Sequence, residues 1–133
     1  MRKIEHIGIA VSSLSESIPL YEKLLNVPCY KTESVENEKV NTAFFMTGQS
    51  KVELLESTDP EGVIAKFIAN KGQGLHHIAF EVEDIYAEMR RLEQEGFTLL
   101  QQEPKKGADN KLICFLHPRS TQGVLIEICQ EIS

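Results

Sequence analysis

Apolar and polar residues alternate along His6-Ile7-Gly8-Ile9-Ala10-Val11, and again along His77-Ile78-Ala79-Phe80-Glu81-Val82. A period of two is that of a strand with one face against a core. Each run is followed by a capping signal and then by a helical period. In the first half Ser13 or Ser15 caps a helix turning Ile18, Tyr21, Leu24 and Leu25 inward, with Pro19 in its first turn and Asn26 at its end. In the second half Asp84 caps a helix that buries Ile85, Met89 and Leu92, and Gly96 stops it. Strand patterns come next, over 28–32, 40–47 and 50–57 in the first half and 98–102, 111–117 and 123–130 in the second. The order βαβββ is thus written twice.

Between the halves, Asp59-Pro60 predicts the opening of another helix, with Pro in its first turn and Ile64, Phe67 and Ile68 facing in. Gly72 and Gly74 mark its exit. The expected organisation is one domain over 1–133: a first module over about 1–58, a linker helix over about 59–73 and a second module over about 74–133. The expected class is α+β, with the two modules forming a curved mixed sheet around a cavity and the helices outside.

The repeat extends to chemistry. Val52-Glu53-Leu54 falls over Ile126-Glu127-Ile128, and 47 positions separate His6 from Glu53 against 50 between His77 and Glu127. Ile7, Ile9 and Val11 take the helix-facing side of their strand, so His6 takes the other with Gly8 and Ala10. The same parity turns His77, Glu53 and Glu127 away from the helices. His76 shares the apolar side and reads as structural or as a support behind the ligands. A lone strand histidine or glutamate is more often a structural or solvated residue, but a His–Glu pair in register in both modules points to a site. Two imidazoles and two carboxylates suit a borderline or hard divalent ion, with positions left open for water or substrate. Without an ion, burying glutamates would be costly.

Composition narrows the setting. The formal net charge of −6 offers nucleic acid or an anionic membrane no electrostatic attraction. No run approaches the ~20 apolar residues of a membrane span, and the first residues lack the apolar stretch of a signal peptide. Three cysteines, Cys29, Cys114 and Cys129, follow no metal-ligand spacing and read as small core residues in a reducing, cytoplasmic compartment.

The paired modules with His…Glu…His…Glu resemble the vicinal oxygen chelate superfamily over essentially the whole chain. Within it, Lys3–Val11, Lys51–Glu56, Ile64–Phe67, Gly74–Phe80 and Phe115–Ser120 through Gly123–Glu127 resemble the methylmalonyl-CoA epimerase family, the double histidine and His117-Pro118-Arg119-Ser120 being the more specific marks. Glyoxalase I usually carries an Asp-Pro-Asp-Gly-like turn before its final glutamate, which this chain lacks.

The resemblance implies an isomerase with one divalent ion (cobalt, nickel, zinc, manganese or magnesium) on His6, Glu53, His77 and Glu127, an acyl-CoA substrate, and a homodimer. It implies abstraction and return of the proton between a thioester and a carboxylate. Some of these epimerases place a further glutamate about where Thr42 stands, and threonine is no base at neutral pH. Glu127 is therefore the expected base on one face, with Glu53 or a metal-bound water serving the other. Thr42, Lys111, His117, Arg119 and Ser120 are expected substrate contacts, and Lys105, Lys106, Lys111 and Arg119 are available to the CoA phosphates. A glyoxalase I-like isomerase, an extradiol dioxygenase and a non-catalytic binding module are the alternatives on the same scaffold.

Overall fold

The computed structural model describes residues 1–132 and places three α-helices and eight strands among them. These are β1 (Lys3–Ala10), α1 (Leu14–Leu25), β2 (Lys31–Val35), β3 (Val40–Thr47), β4 (Ser50–Ser57), α2 (Val63–Lys71), β5 (Gly74–Glu81), α3 (Ile85–Gln94), β6 (Lys105–Lys106), β7 (Lys111–Leu116) and β8 (Ile126–Glu131). Two compact units result: His6–His76, and Met1–Glu5 together with the chain from His77 on.

In the His6–His76 unit the strands lie in the order β2-β3-β4-β1. β1 runs parallel to β4, while β2–β3 and β3–β4 are antiparallel. A parallel neighbour requires a crossover, and α1 supplies it. The Ser13 hydroxyl caps α1 by accepting from the Glu16 N–H, and Asn26 ends it in the left-handed conformation. Ile18, Tyr21 and Leu25 pack with Val11, Leu14, Ala43, Phe45 and Leu54. Leu24 is 69% exposed, contrary to expectation. The stripe Leu14–Ile18–Tyr21–Leu25 fixes the inward face, and Leu24 stands about 100° around the helix from Leu25. The expected helix start at Pro60 is also corrected. The Asp59 carboxylate accepts from the Glu61 N–H, and the Gly62 N–H donates to the Asp59 carbonyl, so 59–62 is a turn and α2 begins at Val63. Ile64 is buried as expected.

In the second unit the order is β5-β8-β7-β6, with β5 parallel to β8 and the other pairs antiparallel. Asp84 caps α3 by accepting from the N–H groups of Tyr86 and Ala87. Ile85, Met89 and Leu92 pack on Val82, Cys114, Leu116 and Ile128. The N-terminal residues belong here: the Arg2 N–H donates to the Glu81 carbonyl, and the terminal amine lies 3.6 Å from Glu88.

Three strand boundaries differ from the pattern. β2 starts at Lys31 rather than residue 28. The segment 98–102 is no strand; it makes one bridge, Leu99 to Leu116, and the edge pairing falls to β6. β8 starts at Ile126, because Gln122 and Gly123 take positive φ to close the turn after Pro118–Thr121 and leave Val124 exposed. β6 needs Gly107 behind it: a β-carbon there would lie 2.8 Å from Ile113 Cδ1. No disulfide forms among the described residues; Cys114 and Cys129 are buried and Cys29 is partly exposed.

Candidate active site

Each unit holds one buried histidine–glutamate pair. In the first, β1 sets Gly8 opposite Glu53 and His6 opposite Lys51 on β4. Val52 and Leu54 pack with the helix-side core, so Glu53 projects from the other face, as parity requires. His6 Nδ1 lies 3.2 Å from Glu53 Oε2, and the two are only 5% and 3% exposed. Lys51 joins them: its Nζ is 3.7 Å from the same carboxylate oxygen and 5.6 Å from the centroid of the Phe44 ring. Sequence reasoning assigned Lys51 no role. Its position two residues before Glu53 on one strand was the available signal, since that spacing puts both on one face.

In the second unit Ile128 packs toward α3, and Glu127 projects from the opposite face with Cys129. His77 Nε2 lies 3.1 Å from Glu127 Oε1, again with both side chains buried, and the Phe115 ring meets the His77 ring edge-on at 5.6 Å. His76 instead sets its ring edge-on to Phe67 of α2, in keeping with a structural role.

The pairs have the chemistry of metal ligands. Imidazole nitrogen and carboxylate oxygen are the donors that borderline and harder divalent ions select. Nitrogen–oxygen separations of 3.1 and 3.2 Å are those of two donors each about 2.1 Å from one ion. Each pair is buried and offers one imidazole nitrogen and one carboxylate oxygen at that separation, so the residues present fit a divalent ion.

The remaining expected contacts divide. Thr42, on β3 beside Phe44, is fully buried, and its hydroxyl has no hydrogen-bond partner among the described residues. Lys111, expected as a substrate contact, is 8% exposed with its Nζ 3.8 Å from Glu131, so it is a buried, ion-paired cation. His117, Arg119 and Ser120 form the turn entering the last strand. The Arg119 N–H donates to His117 Nδ1, and the Ser120 hydroxyl donates to the His117 carbonyl. That turn leaves the Arg119 side chain exposed.

The chain belongs to the glyoxalase/bleomycin resistance protein/dioxygenase superfamily, whose family model matches residues 5–115. That span includes His6, Glu53 and His77 and stops short of Glu127. Among relatives, the ethylmalonyl-CoA/methylmalonyl-CoA epimerase of Cereibacter sphaeroides is 35% identical over 130 residues, covering 96% of this chain and 97% of that protein. The uncharacterized protein YqjC of Bacillus subtilis is 40% identical over 130 residues, covering 98% and 93%. A solved structure of a variant methylmalonyl-CoA epimerase from Streptomyces coelicolor, in complex with 2-nitronate-propionyl-CoA, matches with a TM-score of 0.94 at 32% identity and covers 100% of this chain and 96% of that one. No helix among the described residues is long and apolar enough to cross a membrane.

Proposed function

We propose that this chain is an epimerase of methylmalonyl-CoA, interconverting the two configurations at the carbon between the thioester and the carboxylate. The observation that carries the reading is the buried His–Glu pair present in both units, in a chain 35% identical to an ethylmalonyl-CoA/methylmalonyl-CoA epimerase over nearly its whole length. His6, Glu53, His77 and Glu127 are proposed to hold one divalent ion. Such an ion supplies positive charge for the oxygens on which negative charge develops when the α-proton leaves.

The protons are moved by this chain's own carboxylates. Epimerisation removes a proton from one face of the α-carbon and delivers one to the other, so it needs a base on one side and an acid on the other. Glu127 serves one face and Glu53 the other, each accepting or returning one proton per turnover. Thr42 rules out a base on β3 at the position where some relatives have a glutamate. Exposed Arg119 and Lys106 are proposed contacts for the CoA phosphates. A cytoplasmic homodimer belongs to the same reading, with exposed Leu20 and Leu24 on α1 as apolar surface for it.

The test is entry of solvent deuterium at the α-carbon of methylmalonyl-CoA, with bound metal counted by elemental analysis. Wild type is expected to carry about one ion per chain and to exchange the proton. Glu127→Gln and Glu53→Gln should each slow exchange by about 10²–10⁴-fold. Unchanged exchange in either variant removes that residue from the mechanism. Turnover of a methylglyoxal–glutathione adduct in place of exchange would move the reading to a glyoxalase I-like isomerase.

A further inference from the structure

We propose that the Thr42 hydroxyl is a hydrogen-bond donor to the substrate's carboxylate and selects for it, an inference that rests on the epimerase reading. Three observations within the His6–His76 unit lead there. First, Thr42 is fully buried and Oγ1 has no partner among the described residues. A hydroxyl removed from water and left unbonded destabilises the free protein, so the fold itself gains nothing from it.

Second, its place on the sheet is known. Ala43 and Phe45 pack toward α1, so Thr42 and Phe44 occupy the opposite face, the one that carries Glu53. Thr42 lies opposite Leu55 and Phe44 lies opposite Glu53. Thr42 is therefore the diagonal neighbour of Glu53, at a separation of about 7–8 Å. A small acid whose α-carbon lay against the Glu53 carboxylate would have its substituents within reach of the hydroxyl. Lys51 shares that face but lies on the far side of Glu53 from Thr42, opposite Met46, with its Nζ 3.7 Å from the Glu53 carboxylate.

Third, the repeat provides an internal comparison. Phe115 lies opposite Glu127 as Phe44 lies opposite Glu53, so Ile113 is the counterpart of Thr42. Ile113 packs with Ala79, Cys129 and Phe115. The same strand position is filled by an apolar side chain in one module, so the hydroxyl is no requirement of the architecture. A threonine also cannot take the α-proton, whereas it can bond an anionic oxygen strongly.

The experiment measures dissociation constants of methylmalonyl-CoA and of propionyl-CoA, which lacks the carboxylate, for the full chain, Thr42→Val and Thr42→Ser, alongside thermal midpoints without ligand. Thr42→Val should reduce the preference for methylmalonyl-CoA over propionyl-CoA about 10-fold or more, while Thr42→Ser keeps it. Its midpoint without ligand should rise by about 2 °C or more, because an unbonded buried hydroxyl is gone. A preference that survives in Thr42→Val overturns the assignment of Thr42 and leaves the epimerase reading standing. An equal loss for both ligands, or a lowered midpoint, also overturns it, since the hydroxyl would then serve packing. Failure of wild type to bind methylmalonyl-CoA at all would sink both.

Discussion

The two half-sites share a skeleton and differ in what surrounds it. In each, a histidine on the module's first strand pairs with a glutamate on its last, at 3.2 and 3.1 Å, and a phenylalanine on the preceding strand faces that glutamate in register. Around Glu53 stand the buried cation of Lys51 and the unbonded hydroxyl of Thr42. Counting equally from Glu127, those positions hold Leu125 and Ile113. Duplicated backbone thus reproduces the geometry of a pair, while the neighbours that decide its charge balance vary freely between copies. The first half-site is polar and carries its own counter-charge. The second has apolar side chains at both counterpart positions.

The strongest way to break this contrast is to remove the counter-charge. Taking one partner from a buried ion pair leaves the other uncompensated, at a cost of about 3–5 kcal/mol. Lys51→Met should therefore lower the urea midpoint strongly, whereas Leu125→Met, a swap of similar volume, should cost less than about 1.5 kcal/mol. Adding a divalent ion replaces positive charge near Glu53, so Lys51→Met should regain more stability from the ion than wild type does. Equal losses in the two variants would show that Lys51 does not balance Glu53.

A change of intermediate size writes the first module's residue into the second. Ile113→Thr places a hydroxyl in the apolar group of Ala79, Cys129 and Phe115. It gives up the packing of the larger side chain and buries a polar group, and should cost about 1–3 kcal/mol by chemical unfolding. A neutral result would mean that this face of the second module tolerates polarity, and the contrast between the half-sites would weaken.

Most of this architecture was legible from periodicity, because one-sided burial forces strict alternation. Alternation around Glu53 and Glu127 was enough to turn both away from the helices, and it separated His77 from His76. What periodicity misjudged were features set by local turn chemistry. The carboxylate of Asp59 captures a neighbouring N–H and delays α2, and positive φ at Gln122 and Gly123 delays β8. Leu24 satisfied an apolar count and still lies in solvent, because Leu25 already fills the inward stripe. Lys51 was overlooked for a different reason. Lysine is ordinarily a surface residue, and its burial depends on a carboxylate that only the register of β1 with β4 brings beside His6.

The mildest substitution concerns the helix-facing side of the same strand pair, where Cys114 is the counterpart of Ala43. Both are fully buried. Burial pushes the Cys114 thiol above its ordinary value of 9.0, because the thiolate would be desolvated, and the Gln101 backbone contact offsets this only in part. A group that holds its proton more tightly when folded contributes stability at pH below its unfolded value and loses it as pH rises through the folded one. Native protein should thus lose stability above about pH 9 through this thiol, and Cys114→Ala should flatten that alkaline limb. At neutral pH the variant should cost only about 1 kcal/mol, the loss of one small buried atom from a cluster that includes Ile85 and Ile128. An unchanged alkaline slope would assign the loss to other groups, and a cost above about 2 kcal/mol would show the two helix-facing layers packed less alike than their register suggests.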